Sequence, residues 1–367
     1  METQVAIAQI AAPTGDESDR ARWVASRFEA SGLESVDIDS AGNVIGRRRG
    51  RTDLPPIAVL AHLDTVFPRG TEHSIRQTGT RYFGPSITDN SRGIAAMLAI
   101  VEALTRSTLS VSRPIEFVGT TGEEGTGDLR GAKHFFATRG AGTHLAVIVD
   151  GAGDERIVHR ALGSRRFRAS FDGPGGHSWS AFGAPNAVHA AAAAATAIAA
   201  LPLPRTPRTT LTVARIGGGL SVNSIPQHAW LEIDLRSSSA AVLSTIGSRI
   251  AGIIREAAVA ENQRSAPGTA PLRPNVITIG DRPCGELDEA HPLVQNAIRV
   301  TREIGREPDL AMSSTDANVP ISLGIPAIAI GAGGKGGDTH TNGEWFDDTD
   351  GLRGVARAMA IIGAAAS

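Results

Sequence analysis

Hydrophobic and polar positions along this chain follow two different rhythms. Residues 5–10 and 20–30 carry apolar side chains at helical spacing, and Thr14-Gly15-Asp16-Glu17 between them reads as a break and a cap. Short apolar or β-branched runs follow at 57–61, 115–120, 145–149 and 327–330, the length of buried strands. Helical stretches at 93–105, 132–137 and 293–304 separate several of them. This alternation predicts an α/β fold with a mixed, mostly parallel sheet flanked by helices.

The middle of the chain differs. A strand at 167–171, a helix at 187–200, strands at 209–216 and 228–235, a helix at 242–260 and a strand at 276–279 give the order β-α-β-β-α-β. That is the ferredoxin-like pattern. It predicts an α+β domain over residues 163–284, inserted into a larger domain of residues 1–162 and 285–367. The alanine-rich run at 187–203 carries His189 and is broken by Pro202 and Pro204, so it reads as a packed helix and not a membrane span.

Composition narrows the function classes. With 41% hydrophobic and 20% charged residues the chain is of ordinary globular type. A formal net charge of -2 offers no basic field for nucleic acid or an anionic membrane, and the arginines at 47–49 and 165–166 are short solvated spots. Cys284 is the only cysteine, which excludes a disulfide framework and a thiolate metal cluster and fits a reducing, cytoplasmic setting. The first residues lack the basic-then-apolar pattern of a secretory signal.

Acids and histidines fall just past the ends of the expected strands, the edge where open α/β sheets build their sites. In Ala61-His62-Leu63-Asp64-Thr65, His62 and Asp64 share a face of an extended chain, so the carboxylate can hold the second nitrogen of a metal-bound imidazole. Alone, the pair is equally a polar strand end. Asp89, in the turn from Gly84 to Gly93, is either a helix cap or a carboxylate presented to two metals, one per oxygen. Glu123 and Glu124 follow a buried strand. Two adjacent acids there are costly unless one ligates metal and the other accepts a proton from water, and a solvated acidic turn is the alternative. Asp150 ends another apolar strand, and His340 closes the glycine run that begins at Gly331.

Together these form a complete set for two divalent cations: His62 and Asp150 on one, Glu124 and His340 on the other, Asp89 bridging, and Glu123 as general base. Nitrogen and oxygen ligands without thiolate point to zinc, with manganese or cobalt as alternatives.

The pieces AHLDTVFP, FGPSITDN, TTGEEG, IVDGAG, GPGGHS, VNSIP and STDAN, then GGDTHTNGEW, occur in this order along nearly the whole chain. In that combination the chain resembles the dinuclear metallopeptidase family of peptidase T, carboxypeptidase G and the acetylornithine and succinyl-diaminopimelate deacylases. The resemblance implies the same five ligands, Glu123 as base, Asp64 as the acid orienting the histidine, and a cis peptide after Asp89. It implies that the inserted domain is a lid that often mediates a homodimer. His177 matches a lid histidine that stabilises the oxyanion in the partner's site, and Asn223 and Arg236 match residues that hold substrate. A turn asparagine and a strand-end arginine are the plainer readings of the last two. Asp150 and Ser314-Thr315-Asp316-Ala317-Asn318 look like the peptidase T branch, which implies an exopeptidase on short peptides.

An N-acyl amino acid deacylase or carboxypeptidase is the alternative within that family. A more distant one is a dinucleotide-binding oxidoreductase, because Gly331 to Gly336 fits G-x-G-x-x-G after a strand. No apolar-periodic helix follows it, and too little chain remains for the rest of the unit.

Overall fold

The unbroken apolar run at 57–61 becomes a strand buried on both faces, as its lack of alternation requires. The computed structural model describes residues 1–107 and 111–367. The chain divides into two units: Met1–Ala161 with Gly285–Ser367, and Leu162–Cys284.

The first unit opens with α1 (Glu2–Ala8), α2 (Ser18–Ala30), β1 (Glu34–Ile38), β2 (Val44–Arg48), β3 (Ile57–His62), β4 (Arg76–Thr78) and β5 (Arg81–Phe83). It continues with α3 (Ser91–Arg106), β6 (Ile115–Thr120), α4 (Arg130–Thr138), β7 (Leu145–Val149) and β8 (Arg156–Ala161). The second unit contains β9 (Gly163–Asp172), β10 (Gly176–His177), α5 (Ala187–Ala199), β11 (Thr209–Gly218), β12 (Ser224–Ile225), β13 (His228–Ser237), α6 (Ala240–Gln263) and β14 (Arg273–Arg282). The chain then returns to the first unit with β15 (Gly285–Glu286), α7 (Pro292–Glu303), β16 (Asp309–Ser313), α8 (Asn318–Ser322), β17 (Ala327–Ile330), β18 (Lys335–Gly337), β19 (Trp345–Asp347) and α9 (Gly351–Ala366).

The main sheet runs β1-β2-β6-β3-β7-β17-β8-β15, with β16 paired to β8. Its centre, β6-β3-β7-β17, is parallel throughout. Every residue of these four strands is buried. Their Val, Leu and Ile side chains each contribute roughly 1.5–3 kcal/mol of burial. Because the four strands are parallel and adjacent, their carboxyl ends share one edge. A small antiparallel sheet, β18-β19-β5-β4, sits in the same unit and brings residues 335–347 beside the chain that leads into Asp89.

In the second unit β11-β13-β9-β14 form a wholly antiparallel sheet. Helices α5 and α6 pack with it in a separate apolar core built around Phe167, Phe171, Leu231, Ile250 and Ile254. The order is β-α-β-β-α-β, with the two-residue strands β10 and β12 added as a pair of their own. Among the described residues no helix is long and apolar enough to cross a membrane.

Candidate active site

Four of the strand ends deliver the acids and histidines. His62 is the last residue of β3, Glu123 and Glu124 follow β6, Asp150 follows β7, and the glycine run from Gly331 leads from β17 through β18 to His340. Asp89 enters from the turn before α3. Asn90, not Asp89, caps that helix: its Oδ1 accepts from Gly93 N and Gly151 N, each at 3.0 Å, and its Nδ2 donates to Val149 O. The cap thereby fastens the turn to the end of β7 and leaves the Asp89 carboxylate for the site. The Asp89–Asn90 peptide is cis.

Asp89 stands between two imidazoles. His62 Nε2 lies 2.9 Å from its Oδ1, and His340 Nε2 lies 3.1 Å from its Oδ2. Asp150 Oδ1 is 3.7 Å from His62 Nε2, while Glu124 Oε1 is 2.7 Å from His340 Nε2. Ligand atoms of His62, Asp89 and Glu124 all lie within 4.8 Å of one another. His62 is buried, whereas the His340 side chain is 50% exposed and marks the open side.

The electrostatics favour cations. Burial opposes charge on His62, yet the carboxylates of Asp150, Asp64 and Asp89 hold its pKa well above the ordinary value. Hydrogen bonds to Asp89 and Glu124 push His340 up to about 10. Burial alone would raise Asp89, but the two imidazoles hold it below the usual carboxylate range. Two nitrogens and three carboxylates, without a thiolate and arranged about one shared acid, are a donor set suited to two divalent ions such as zinc.

Asp64 is fully buried, and its oxygens also hold the acidic turn. Oδ1 accepts from Glu123 N at 2.8 Å, and Oδ2 accepts from Glu124 N at 2.9 Å and from Thr14 Oγ1 at 2.8 Å. His62 Nδ1 meets the Asp64 backbone carbonyl at 3.1 Å, with the carboxylate farther away at 3.6 Å. Three donors hold that carboxylate while the His62 ring faces it, so it fixes Glu123 and Glu124 as well as lying beside the imidazole. Asp64→Ala would strand two buried N–H groups at about 1–3 kcal/mol each. The expected result is a denaturation midpoint lowered accordingly and turnover reduced about 10–100-fold, with Asp64→Asn in between. Equal midpoints and rates in Asp64→Ala and wild type would remove this role.

Several residues around the site take no role from the sequence, although Asp316 and Glu344 fall inside the motifs STDAN and GGDTHTNGEW. Arg20 is fully buried and donates to Leu63 O, Ser86 Oγ and Ile10 O, joining α2 to the end of β3 and to the Asp89 turn. Arg92 donates to Ala332 O and Gly351 O and so anchors the glycine run to α3. Asp316 accepts from Thr120 Oγ1 at 2.5 Å, and burial pushes its carboxyl up to about 6. Glu344 accepts from Thr88 N and Asp89 N, and burial pushes it up to about 7.

The glycine run opens strand β18 and no helix, so it does not form a dinucleotide-binding turn. Its glycines serve close packing. A Cβ at Gly336 would meet Thr88 Cγ2 at 2.6 Å, and one at Gly333 would meet the backbone of Gly354 at 2.6 Å.

His177, Asn223 and Arg236 belong to the second unit. β10 pairs with β12, and Ser178 N donates to Asn223 O, so His177 and Asn223 lie on neighbouring segments. His177 is exposed, and its Nδ1 accepts from Trp179 N at 3.2 Å. Arg236, on β13, donates to Asp234 at 2.7 Å, as a strand-end arginine would.

The family model described as Peptidase family M20/M25/M40 matches residues 58–364. Among solved structures, the chain is similar to a tripeptidase of Staphylococcus aureus subsp. aureus Mu50, with 21% identity, TM-score 0.80 and coverage of 100% of this chain and 97% of that one. It is also similar to aminopeptidase PepT of Bacillus cereus ATCC 10987, with 23% identity, TM-score 0.78 and coverage of 100% and 98%. Protein YqjE of Bacillus subtilis strain 168 is 23% identical over 378 residues, covering 100% of this chain and 98% of that protein. At these identities the two structures speak for a shared fold.

Proposed function

The chain belongs to the M20/M25/M40 family of peptidases, and on that premise we propose that it is a metal-dependent exopeptidase of short peptides. The observation that carries this reading is the placing of one half-buried carboxylate, Asp89, against the ring nitrogens of both His62 and His340. In this reading His62, Asp150 and Asp89 would hold one divalent ion, and His340, Glu124 and Asp89 would hold a second, with zinc as the preferred metal. Such ions supply Lewis acidity that polarises a substrate carbonyl and makes water acidic enough to attack at neutral pH.

The chain's own part is proton handling and placement. Glu123 sits beside ligand Glu124 on a turn that Asp64 clamps through both backbone N–H groups. Its carboxylate takes the proton of the attacking water and returns it to the departing amine. His177, Asn223 and Arg236 are assigned to oxyanion and substrate contacts. The second unit is assigned the pairing surface of a homodimer, which its exposed Trp179, Phe182, Leu220 and Val222 support. The lone Cys284 suits a cytoplasmic setting.

The aminopeptidase-like branch is favoured by Asp150 and by the segment around Asp316. With zinc-loaded protein, free-amine di- and tripeptides should exceed N-acetylated amino acids in kcat/KM by at least about 100-fold. The opposite ranking would make the protein a deacylase.

A further inference from the structure

The backbone that presents Asp89 is strapped along its length to residues 344–345. Gly84 N donates to Glu344 O at 2.9 Å, and Thr88 Oγ1 donates to Trp345 O at 2.9 Å. Between these, a single side-chain oxygen, Glu344 Oε1, accepts from Thr88 N at 2.7 Å and Asp89 N at 2.9 Å. Glu344 is fully buried, and its other oxygen makes no ordinary hydrogen bond. A buried carboxylate is costly, so Glu344 is expected to do more than fill space. The segment is suggestive: Glu344 lies four residues after His340, whose ring meets Asp89 Oδ2 at 3.1 Å. One short stretch therefore supplies both a ring on the front of Asp89 and the acceptor behind its backbone.

We propose that Glu344 is a positioning residue that sets the Asp89 carboxylate between His62 and His340 by accepting the two N–H groups behind it. The role depends on reach and on an acceptor oxygen, not on charge. It rests on the reading of Asp89 as the shared metal ligand.

The test uses the full chain, stripped of metal and titrated with Co2+ alone, following stoichiometry, affinity and the visible absorption of the bound ion. Glu344→Gln keeps an oxygen at the same reach, Glu344→Asp keeps the charge but falls short, and Glu344→Ala removes both. Wild type and Glu344→Gln should bind two ions with matching spectra. Glu344→Asp and Glu344→Ala should bind about 10–100-fold more weakly, with altered spectra. If Glu344→Ala does not fold, the contrast between Gln and Asp still decides. Rescue by Asp and not Gln, or wild-type behaviour in both Asp and Ala, overturns the proposal while leaving the metal site standing. A wild type that takes up no Co2+ overturns the metal reading, and this role with it.

Discussion

Glu123→Gln should fold and take up metal as the wild type does, yet turn peptides over about 10²–10⁴-fold more slowly. Glutamine keeps the shape and hydrogen-bonding size of the side chain but cannot accept and return a proton. The turn that carries it is held through the backbone, by Glu123 N and Glu124 N on Asp64, so the exchange leaves those two anchors in place. The cluster of His62, Asp89 and Glu124 also remains whole. The loss should appear in kcat and leave KM nearly unchanged, since the proton transfer belongs to the transition state. A variant hydrolysing peptides within a few-fold of wild type would take Glu123 out of the chemistry.

The second large effect belongs to Asp89→Ala. Its two oxygens face two different rings, so one truncation cuts both halves of the site at once. Bound metal should fall below two ions per chain, and turnover should drop at least as far as in Glu123→Gln, on the order of 10³-fold or more. Loss of Asp150 or Glu124 alone would touch one half only. Metal content by elemental analysis, alongside a peptide assay, checks this directly. Two ions retained in Asp89→Ala would mean that the carboxylate bridges nothing.

Much of the first unit is legible in sequence because its signals are local. The buried strands at 115–120 and 145–149 match β6 and β7 to the residue, and the run at 57–61 stops one short of the end of β3 at His62. Helix and strand alternation across 167–279 likewise marks the elements of the second unit, although β9 and β14 run longer at both ends. Strands without a continuous apolar run escape. β1 is mostly exposed, and β18 is lysine and glycine, so nothing in their composition announces a strand.

The site divides along the same line. His62, Glu123, Glu124 and Asp150 stand out because each is a polar residue at or within a few residues of the end of an apolar strand. The residues that aim them do not stand out. Glu344 works across 255 residues on Asp89, Thr14 across 50 on Asp64, and Arg20 across 43 on Leu63. Each looks like an ordinary surface side chain until the fold brings its partner near. The Asp89 turn offered two readings in sequence, cap or ligand, and the structure answers the first: Asn90 caps, while the Asp89 carboxylate faces the rings.

The strand order carries a consequence for biogenesis. β7 and β8 are nearly consecutive in the chain, yet β17 lies between them and pairs with both. Until residues 327–330 emerge from the ribosome and dock, those two strands hold open, apolar edges. The nascent first unit cannot complete its sheet until the whole insertion has been translated, and such long-range pairing is expected to slow folding. On the proposed reading, a centre that draws His340 from beyond β17 cannot be completed on a partly made chain.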